Sequence, residues 1–367
     1  MSTSFEVLTA NTMHGEAWDA MVAGMDACDV YCHRTLCQAF AEHEGCVAHL
    51  VRFRRGESVI VYPFIQRRIA SLPFLRSPQN WNDYSDIVSP YGYGGPLAQV
   101  VENDEEERGR VWSEFLEAFH AYCLDHNIVS EFARLHPYLQ NHRHFNLSNG
   151  LERRGTIVTV DLSQSEEEIW RGFTKENRKK IGRAQTNGLR VEEANRPADV
   201  QLFAELYHLN MQRLQASDWY MFPESWLSDL HARFSEHLTL FFVYEGDRVI
   251  AGGSMFHMNG LVSNFLSATA EDPGQFAPNN LLFYEIIRWA KRRGYRWYNM
   301  GGGYRPNDGV MRFKLNFSQH TEDFYTYQKI HLSQAYEALV QEWRQALPST
   351  IELEESKYFP LYRMILQ

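Results

Sequence analysis

The sequence predicts an α+β protein of two domains, each a mixed, mostly antiparallel sheet flanked by helices. With 367 residues the chain is longer than one hydrophobic core usually organises, which favours two domains. Both halves also follow one order: a helical start, a meander of strands, a helix, and a strand that ends in a loop. No literal repeat accompanies this order. We therefore predict domains at residues 1–150 and 151–367, the second including a C-terminal helix.

In the first half, apolar and polar residues alternate on both sides of the Arg55-Gly56-Glu57 turn, which predicts a β-hairpin. A long amphipathic helix follows, because apolar residues recur three or four positions apart at Val111, Phe115, Phe119 and Tyr122. The predicted helices of this half cover 16–25, 34–44 and 105–127, and the predicted strands cover 47–54, 58–66 and 128–135.

In the second half, Ser165 can cap a helix that has Glu168 three residues on, and Gly188 is expected to end that helix near Asn187. Alternating residues predict a strand over 312–317. The other predicted helices cover 199–214, 280–293 and 333–347, and the other predicted strands cover 155–161, 189–193, 238–245, 248–258, 261–268 and 295–300.

Composition limits the class of protein. Hydrophobic residues make up 44% and charged residues 22%, as in ordinary globular proteins. No apolar run approaches the roughly 18 to 20 residues that cross a bilayer. The start of the chain lacks the basic residues and apolar block of a signal peptide, so we expect a cytoplasmic protein without a transmembrane segment.

The five cysteines predict neither a disulfide framework nor a metal site. An odd number without a secretion signal argues against disulfides. Cys28, Cys32, His33 and Cys37 lie close together, but their spacing matches no common zinc motif and no second pair follows. We expect no bound metal.

Local positive charge interrupts an acidic chain. The formal net charge is −10, which opposes general nucleic-acid binding. No lysine precedes Lys175, yet basic residues then fill one helical window, namely Arg171, Lys175, Arg178, Lys179, Lys180 and Arg183. Lys175 and Arg178 are three residues apart and can converge on a phosphate. A solvated helix face is the alternative.

Three consecutive glycines, Gly301, Gly302 and Gly303, follow the predicted strand that ends at Met300. Without Cβ atoms the backbone can bend sharply and admit another group closely. Arg312 and Lys314 come shortly after, on one side of the predicted strand. The loop is therefore predicted to hold an anionic or carbonyl group, with a plain turn as the alternative.

Motifs in both halves, taken in order, resemble the FemAB/FemX-like branch of the GNAT acyltransferases. In the second half they are residues 173–184 (FTKENRKKIGRA), residues 280–285 (NLLFYE) and the stretch from 294 through the glycines to 314. In the first half, 91–96 (YGYGGP) and 134–137 (RLHP) look like the matching motifs. The resemblance implies two GNAT-like domains in tandem. It also implies transfer of an acyl or aminoacyl group to an amine.

Such a transfer needs a neutral amine, a polarised carbonyl group and attack geometry. The sequence has no Gly-x-Ser-x-Gly nucleophile motif, so direct attack by the amine is the simplest mechanism. Lys314 is the candidate that stabilises the developing oxyanion, and Asp83 is the candidate that accepts the proton of the amine. A solvated strand face and ordinary turn chemistry are the respective alternatives.

The donor is expected to be aminoacyl-tRNA or acyl-CoA. GNAT enzymes wrap the pyrophosphate of CoA with a glycine-rich run before a helix, but here Pro278 stands in place of a glycine and removes an N–H donor. This departure favours aminoacyl-tRNA, while the acidic net charge counts against it. The residues expected to bind the donor are Gln275, Asn279, Asn280, Gly302, Gly303 and Arg312.

The acceptor is expected to contact aromatic as well as basic residues. Tyr91 and Tyr93 lie in a loop rich in glycine and proline, where they could orient a sugar or peptide. Trp219 and Tyr220 follow a predicted helix and could line a cleft, although core packing is the alternative. Together with Lys175 and Arg178 these residues are the predicted substrate-binding set.

We therefore expect a transferase that forms an amide on an amine of an anionic cell-envelope or polysaccharide precursor. No permanently bound cofactor is expected. The expected partners are the precursor, the acceptor end of a tRNA, and a membrane surface if the precursor is lipid-linked. Two alternatives remain: an acyl-CoA-dependent N-acetyltransferase of an amino sugar or small amine, and a non-catalytic GNAT-fold module that binds a precursor.

Overall fold

The computed structural model describes residues 2–11, 13–25, 28–101, 104–145, 150–272, 276–303, 308–347 and 358–364. The chain forms two compact units. Unit 1 comprises residues 1–154 and 324–367, and unit 2 comprises residues 155–323.

The elements follow one another along the chain in two stretches. The first stretch contains β1 (Thr3–Thr9), α1 (Gly15–Ala23), α2 (Arg34–His43), β2 (Val47–Arg55), β3 (Ser58–Arg68), β4 (Ser85–Val88), β5 (Leu97–Gln99), α3 (Glu105–Asp125) and β6 (Ile128–Arg134). The second contains β7 (Leu151–Asp161), α4 (Glu166–Gly172), α5 (Lys175–Thr186), β8 (Arg190–Ala194), α6 (Pro197–Arg213), α7 (Glu224–Phe234), β9 (Leu238–Glu245), β10 (Arg248–Met258), β11 (Leu261–Thr269), α8 (Pro278–Arg292), β12 (Trp297–Gly301), α9 (Gly309–Leu315), β13 (Thr321–Ile330) and α10 (Ser333–Ala346).

The sheet of unit 1 has the order β1-β2-β3-β4-β6-β13, with β5 paired to β3. All neighbouring strands are antiparallel except β4 and β6, which are parallel. The predicted hairpin is confirmed: β2 and β3 meet at Gly56, whose φ of +60° lies in the left-handed region that favours glycine.

Helices α3 and α10 each contribute to an apolar core of unit 1. The predicted stripe of α3 is buried against the sheet at Val111, Phe115 and Phe119, and each such side chain contributes roughly 1.5–3 kcal/mol. A second core forms where α10 packs against Ile69 and Val129. The sequence assigned α10 to the second domain, but its apolar stripe is buried in unit 1. Helical periodicity predicts that a stripe will be buried, not which core buries it.

The sheet of unit 2 has the order β7-β12-β11-β10-β9-β8. Its strands are antiparallel except for the parallel pair β11 and β12. Helices α4, α5 and α8 contribute to the main core of this unit, in which Ile181, Leu282 and Ile286 are fully buried. Each unit therefore has the mixed, mostly antiparallel sheet that the sequence predicts.

Two local predictions for unit 2 are wrong. The helix predicted after Ser165 is two helices, because Phe173 is extended and Thr174 begins α5 by accepting a hydrogen bond from the backbone N–H of Asn177. The strand predicted over 312–317 is largely helix α9, because Asp308 caps it through the N–H of Met311 at 2.7 Å. An alternating pattern of only six residues is compatible with a strand or with a helix, and here the cap at Asp308 selects the helix.

Within the described residues, every helix is too short or too polar to span a lipid bilayer. His, Cys, Asp and Glu side chains of that part of the chain nowhere form a group of three suited to a metal ion.

Candidate active site

In unit 2, a lysine side chain contacts the backbone of the glycine residues in the loop after β12. Lys314 donates a hydrogen bond from Nζ to the carbonyl oxygen of Gly302, at 2.7 Å. A Cβ atom placed on Gly301 would lie 3.1 Å from the same nitrogen, and Gly301 has a φ of +77°. The glycines therefore allow the lysine to reach the main chain.

The environment of Lys314 changes its acidity. Burial lowers the pKa of its ammonium to about 8, and the carboxylate of Asp308 acts in the opposite direction without cancelling the effect. Near neutral pH the side chain is thus mostly a cation, but it gives up its proton far more readily than an exposed lysine. Such a group can stabilise negative charge or take part in proton transfer.

Asp308 fixes the other end of this loop. Its Oδ1 caps α9, and a Cβ atom on Gly303 would lie only 2.4 Å from that oxygen. Sequence reasoning did not select Asp308. The signal was available, since an aspartate followed by glycine and a helical stretch is a typical helix start.

Arg312 does not lie beside Lys314. The two were expected on one side of a strand, but on a helix they point about 160° apart. Arg312 is exposed, while Lys314 is partly buried. The expectation that both cations lie on one side of a strand is therefore wrong, because this segment is a helix. Arg312 remains a donor-binding prediction on its own.

The start of α8 is held by a series of amides. Asn280 donates from Nδ2 to Oδ1 of Asn177 at 2.7 Å, and Asn177 donates to the carbonyl oxygen of Asn316 at 3.0 Å. Asn279 donates to Oγ1 of Thr269 at 2.9 Å. Asn280 and Asn279 thus bind neighbouring elements of the fold, and Gln275 lies outside the described residues.

The backbone at this helix start is strained. Ala277 precedes α8 with a φ of +50°, a left-handed conformation that a residue with a Cβ atom rarely adopts. Pro278 occupies the first helical position, where its fixed φ suits the helix and its missing N–H costs no internal hydrogen bond. The first turn of α8 receives no side-chain cap from Ala277.

The two predicted phosphate-binding residues have different surroundings. Arg178 donates from Nη1 to the carbonyl oxygens of Arg171, at 3.0 Å, and Phe173, and so caps the end of α4. Lys175, in the first turn of α5, is exposed. Arg178 therefore stabilises the junction of two helices, whereas Lys175 is accessible to a ligand.

Trp219 and Tyr220 lie in a short 3-10 helix after α6 and are partly buried. Their rings meet edge to face at 5.2 Å, and Trp219 also contacts the buried ring of Phe222 at 5.5 Å. The hydroxyl of Tyr207 donates to the carbonyl oxygen of Tyr220 at 2.8 Å. The pair is therefore held by Phe222 and Tyr207 and remains partly exposed.

The predicted residues of unit 1 have different surroundings. Asp83 is exposed in a turn, and Tyr91 packs against Phe40 with ring centroids 5.6 Å apart. Tyr93 lies among the rings of Tyr31 and His136, at 5.4 Å and 5.3 Å. His136 in turn binds the buried carboxylate of Asp29 at 2.8 Å, which holds the motif at 134–137 in place.

Comparison with known protein families shows which domain this part of the chain is similar to. Residues 171–315 match the profile of the acetyltransferase (GNAT) domain, a stretch that includes α5, the start of α8, the glycine loop and Lys314. No curated protein matches the sequence. The chain therefore carries an acyltransferase domain of the GNAT class, as predicted.

Solved structures extend the likeness over nearly the whole chain. The crystal structure of FemX superposes with a TM-score of 0.67 at 13% identity, covering 92% of this chain and 99% of that one. The C-terminal domain (DUF2156) of a putative lysylphosphatidylglycerol synthetase from Agrobacterium fabrum has a TM-score of 0.51 at 14% identity, covering 90% and 97%. L-PGS from Bacillus licheniformis gives 0.51 at 14%, covering 87% and 92%. The predicted FemX-like fold of the GNAT class is thus confirmed.

Proposed function

We propose that this protein is an enzyme that forms an amide on an amine of an anionic envelope or polysaccharide precursor. The proposal starts from a chain that carries a GNAT acyltransferase domain and has the fold of FemX. The observation that carries this proposal is the partly buried Lys314, bound to Gly302 and of lowered pKa, inside the matched domain. It supplies one polarising cation beside a loop of bare backbone.

In the proposed reaction the neutral amine of the acceptor attacks the carbonyl carbon of the donor. A C–N bond forms, and the carbonyl oxygen becomes an oxyanion. An ammonium carries three N–H groups, so Lys314 can keep its bond to Gly302 and donate another to the oxyanion. Collapse of the intermediate breaks the bond to the donor oxygen or sulfur, and the leaving group takes up a proton.

The proton released by the amine needs an acceptor. We retain Asp83 in this role, because its carboxylate is exposed in its turn and a substrate can reach it. Lys175 is the proposed contact for the phosphates of the precursor, since it is exposed in the first turn of α5. Tyr91, Tyr93, Trp219 and Tyr220 remain the proposed aromatic contacts.

Aminoacyl-tRNA is the proposed donor. Pro278 removes one backbone donor from the run that would otherwise bind the pyrophosphate of CoA. One structural neighbour also carries a name that describes a lysyl group on phosphatidylglycerol, which is consistent with aminoacyl transfer and with a precursor at a membrane surface. We place the reaction in the cytoplasm, where charged tRNA is found.

Acyl-CoA is the second candidate donor, because the matched profile is that of acetyltransferases. The deciding experiment incubates the protein with charged tRNA or acetyl-CoA and amine-bearing precursors, and measures the mass of the product. A gain of one amino-acid residue supports the proposal. A gain of an acetyl group, together with a rise in melting temperature on adding CoA, replaces it with the second candidate.

A further inference from the structure

Two histidines of unit 1 meet outside the matched GNAT domain. Nδ1 of His120, on α3, lies 2.8 Å from Nδ1 of His331, the residue that follows β13. The two rings are nearly parallel, with centroids 5.1 Å apart and an angle of 27° between their planes. This contact joins α3 to the short connection between β13 and α10, and the proposed transfer reaction does not use it.

The partners of the outer ring nitrogens indicate which nitrogen carries a proton. Nε2 of His331 lies 3.3 Å from Oε2 of Glu131, and a carboxylate only accepts, so this nitrogen donates. The other oxygen of Glu131 accepts a hydrogen bond from the hydroxyl of Tyr62 at 2.7 Å. In a neutral His331 the remaining nitrogen, Nδ1, is a bare acceptor, so His120 must donate to it from Nδ1. Within the described residues, no hydrogen bond engages Nε2 of His120.

This arrangement limits how many protons the pair can hold. A first added proton can enter at Nε2 of His120, which leaves the hydrogen bond between the two Nδ1 atoms intact. A second must enter at Nδ1 of His331, where it faces the N–H of His120 across 2.8 Å. Two donors cannot share a hydrogen bond, and two imidazolium cations repel each other. The contact therefore survives one added proton and opens with the second.

The charged groups around His120 set the range of pH in which it titrates. The pKa of this partly buried ring lies below its ordinary 6.5, chiefly because of burial and then because of the nearby His331 and Lys329. The carboxylate of Glu131 acts in the opposite direction. Just below pH 6.5 the unfolded chain therefore binds more protons than the folded one. The stability that His120 contributes falls as the pH falls through this range.

Three further titratable side chains lie around Glu131, and they stay neutral in mild acid. They are Tyr62 on β3, Tyr327 on β13 and Cys123 on α3. Burial raises the pKa of each of the three, and the carboxylate of Glu131 acts in the same direction. The groups that can take up a proton here as the pH falls are therefore the two histidines and Glu131.

The connection that carries His331 touches both apolar cores described for unit 1. The ring of His331 meets the buried ring of Phe119 on α3 edge to face, with centroids 6.3 Å apart. The next residue, Leu332, packs into the core that α10 helps to form. The backbone N–H groups of His331 and Leu332 both donate to the carbonyl oxygen of Val129, at 2.9 Å and 3.2 Å. Release of the His331 ring would thus loosen the start of α10.

We propose that the pair His120–His331 is a proton-operated latch. Near neutral pH it ties the connection between β13 and α10 to helix α3, and in mild acid the second proton opens it. The opened state frees the start of α10 while the rest of unit 1 stays folded. The proposal does not depend on the transfer reaction, since it concerns contacts within unit 1 alone.

The test is amide hydrogen exchange of the full chain at pH 7.5 and pH 4.5, with each rate divided by the intrinsic rate at that pH. The amides of His331 and Leu332 report on the latch, because both bind Val129. We expect their protection to fall about fivefold or more in acid, as for the loss of one hydrogen bond of ordinary strength. The β2–β3 hairpin of the same unit should keep its protection. A loss shared by the hairpin would mean general acid unfolding and overturn the proposal.

Two variants of His120 should change this result in different ways. His120→Asn should keep high protection at both pH values, because its amide can donate to a bare Nδ1 or turn and accept from a protonated one. His120→Leu should show low protection already at pH 7.5. His126→Asn is the matched control, since His126 is an exposed histidine at the end of the same helix, and it should behave like the parent protein. An equal loss in acid for the parent and His120→Asn would overturn the proposal.

A second measurement observes the ring protons directly in the parent protein. Long-range ¹H–¹⁵N spectra of chains labelled with ¹⁵N-histidine show which ring nitrogens carry a proton, and His120→Asn and His331→Asn assign the signals. At pH 7.5 we expect protons on Nδ1 of His120 and Nε2 of His331, and in acid Nε2 of His120 should be protonated first. The proposal is overturned if His331 takes the first proton or if the two rings titrate independently. Failure of acyl transfer would leave these results untouched.

Discussion

The Nζ atom of Lys314 lies 2.7 Å from the carbonyl oxygen of Gly302, so the next-to-last residue of helix α9 contacts the loop after strand β12. This one hydrogen bond joins the basic group and the glycine run of the candidate site. It also explains why the lysine is partly withdrawn from water. Both the catalytic role of the ammonium and the effect of its burial on stability can be tested by replacing it.

Removing the ammonium should abolish most transfer without unfolding the protein. We expect Lys314→Met to lower kcat by about 10²–10³-fold, the usual cost of losing one oxyanion donor. The melting temperature should stay the same or rise, because an apolar side chain replaces a partly desolvated charge. Steady-state kinetics and thermal unfolding measure the two effects.

Arg292→Gln is the control for this variant, because Arg292 is an exposed cation at the end of α8 in the same unit. It should retain full activity. If Lys314→Met is as active as Arg292→Gln, the lysine has no part in the reaction. A folded Lys314→Met that loses transfer excludes the alternative of a non-catalytic binding module.

Lys314 should also make stability depend on pH in the alkaline range. Its pKa is about 8 in the folded protein against an ordinary 10.5, so between these values the unfolded chain binds more protons than the folded one. Linkage then requires the stability contributed by this residue to rise with pH across that window. Below pH 8 both states are protonated, and the contribution is constant.

Urea unfolding at pH values from 7 to 10.5, on the parent and on Lys314→Met, isolates the effect. The stability advantage of the methionine variant should shrink as pH rises through the window. A constant difference between the two proteins would show that the ammonium is as well solvated in the folded state as in the unfolded one.

Gly303 should not tolerate a side chain. An alanine Cβ would lie 2.4 Å from Oδ1 of Asp308, so Gly303→Ala must displace the cap of α9. We expect a loss of about 1–3 kcal/mol in the free energy of unfolding, and a loss of transfer. Gly182→Ala is the contrasting variant: it lies inside α5 with open space around it and should stabilise by about 0.5–1 kcal/mol.

The amide of Asn280 should matter for stability. Asn280→Ala leaves Oδ1 of Asn177 without the donor at 2.7 Å in a buried place, which costs about 1–3 kcal/mol. Asn195→Ala, at an exposed position of the same unit, should change the free energy of unfolding by less than about 0.5 kcal/mol. Similar values for the two variants in chemical unfolding would contradict the structural role of the amide series.

Replacing Asp86 by asparagine should lower stability, whereas the same replacement at Asp83 should lower activity. Asp86→Asn removes the carboxylate that binds Arg67 and Arg363, and should cost about 3–5 kcal/mol of unfolding free energy. Asp83→Asn, at an exposed turn, should leave stability unchanged. Transfer should nevertheless fall in Asp83→Asn, and full activity in that variant would remove Asp83 from the mechanism.

Much of the fold was predictable because its signals are local. The stripe at Val111, Phe115 and Phe119 and the turn at Gly56 depend on residues close in sequence, so periodicity and turn chemistry predicted helix α3 and the β2–β3 hairpin. The same reasoning failed over 312–317, where alternation was too short to distinguish a strand from a helix and the cap at Asp308 decided.

The site was predictable only in part. A lysine near three glycines was a visible signal, and the structure does bring Lys314 to Gly302. The sequence predicted that Arg178 binds a phosphate and did not predict that it caps the end of α4. A basic residue type is visible in a sequence, but its hydrogen-bond partner is not.

By itself, the sequence determined the two-part α+β organisation, the position of the long helix, and the candidate lysine. Only the tertiary structure decided that Asp86 meets Arg67, 19 residues away, and Arg363, 277 residues away, and that α10 is buried in unit 1. The physical reason is that the side-chain periods of helices and strands, 3.6 and 2 residues, relate residues that are close in sequence. The meeting of distant side chains depends instead on strand register and on the path of the chain, which no local pattern records.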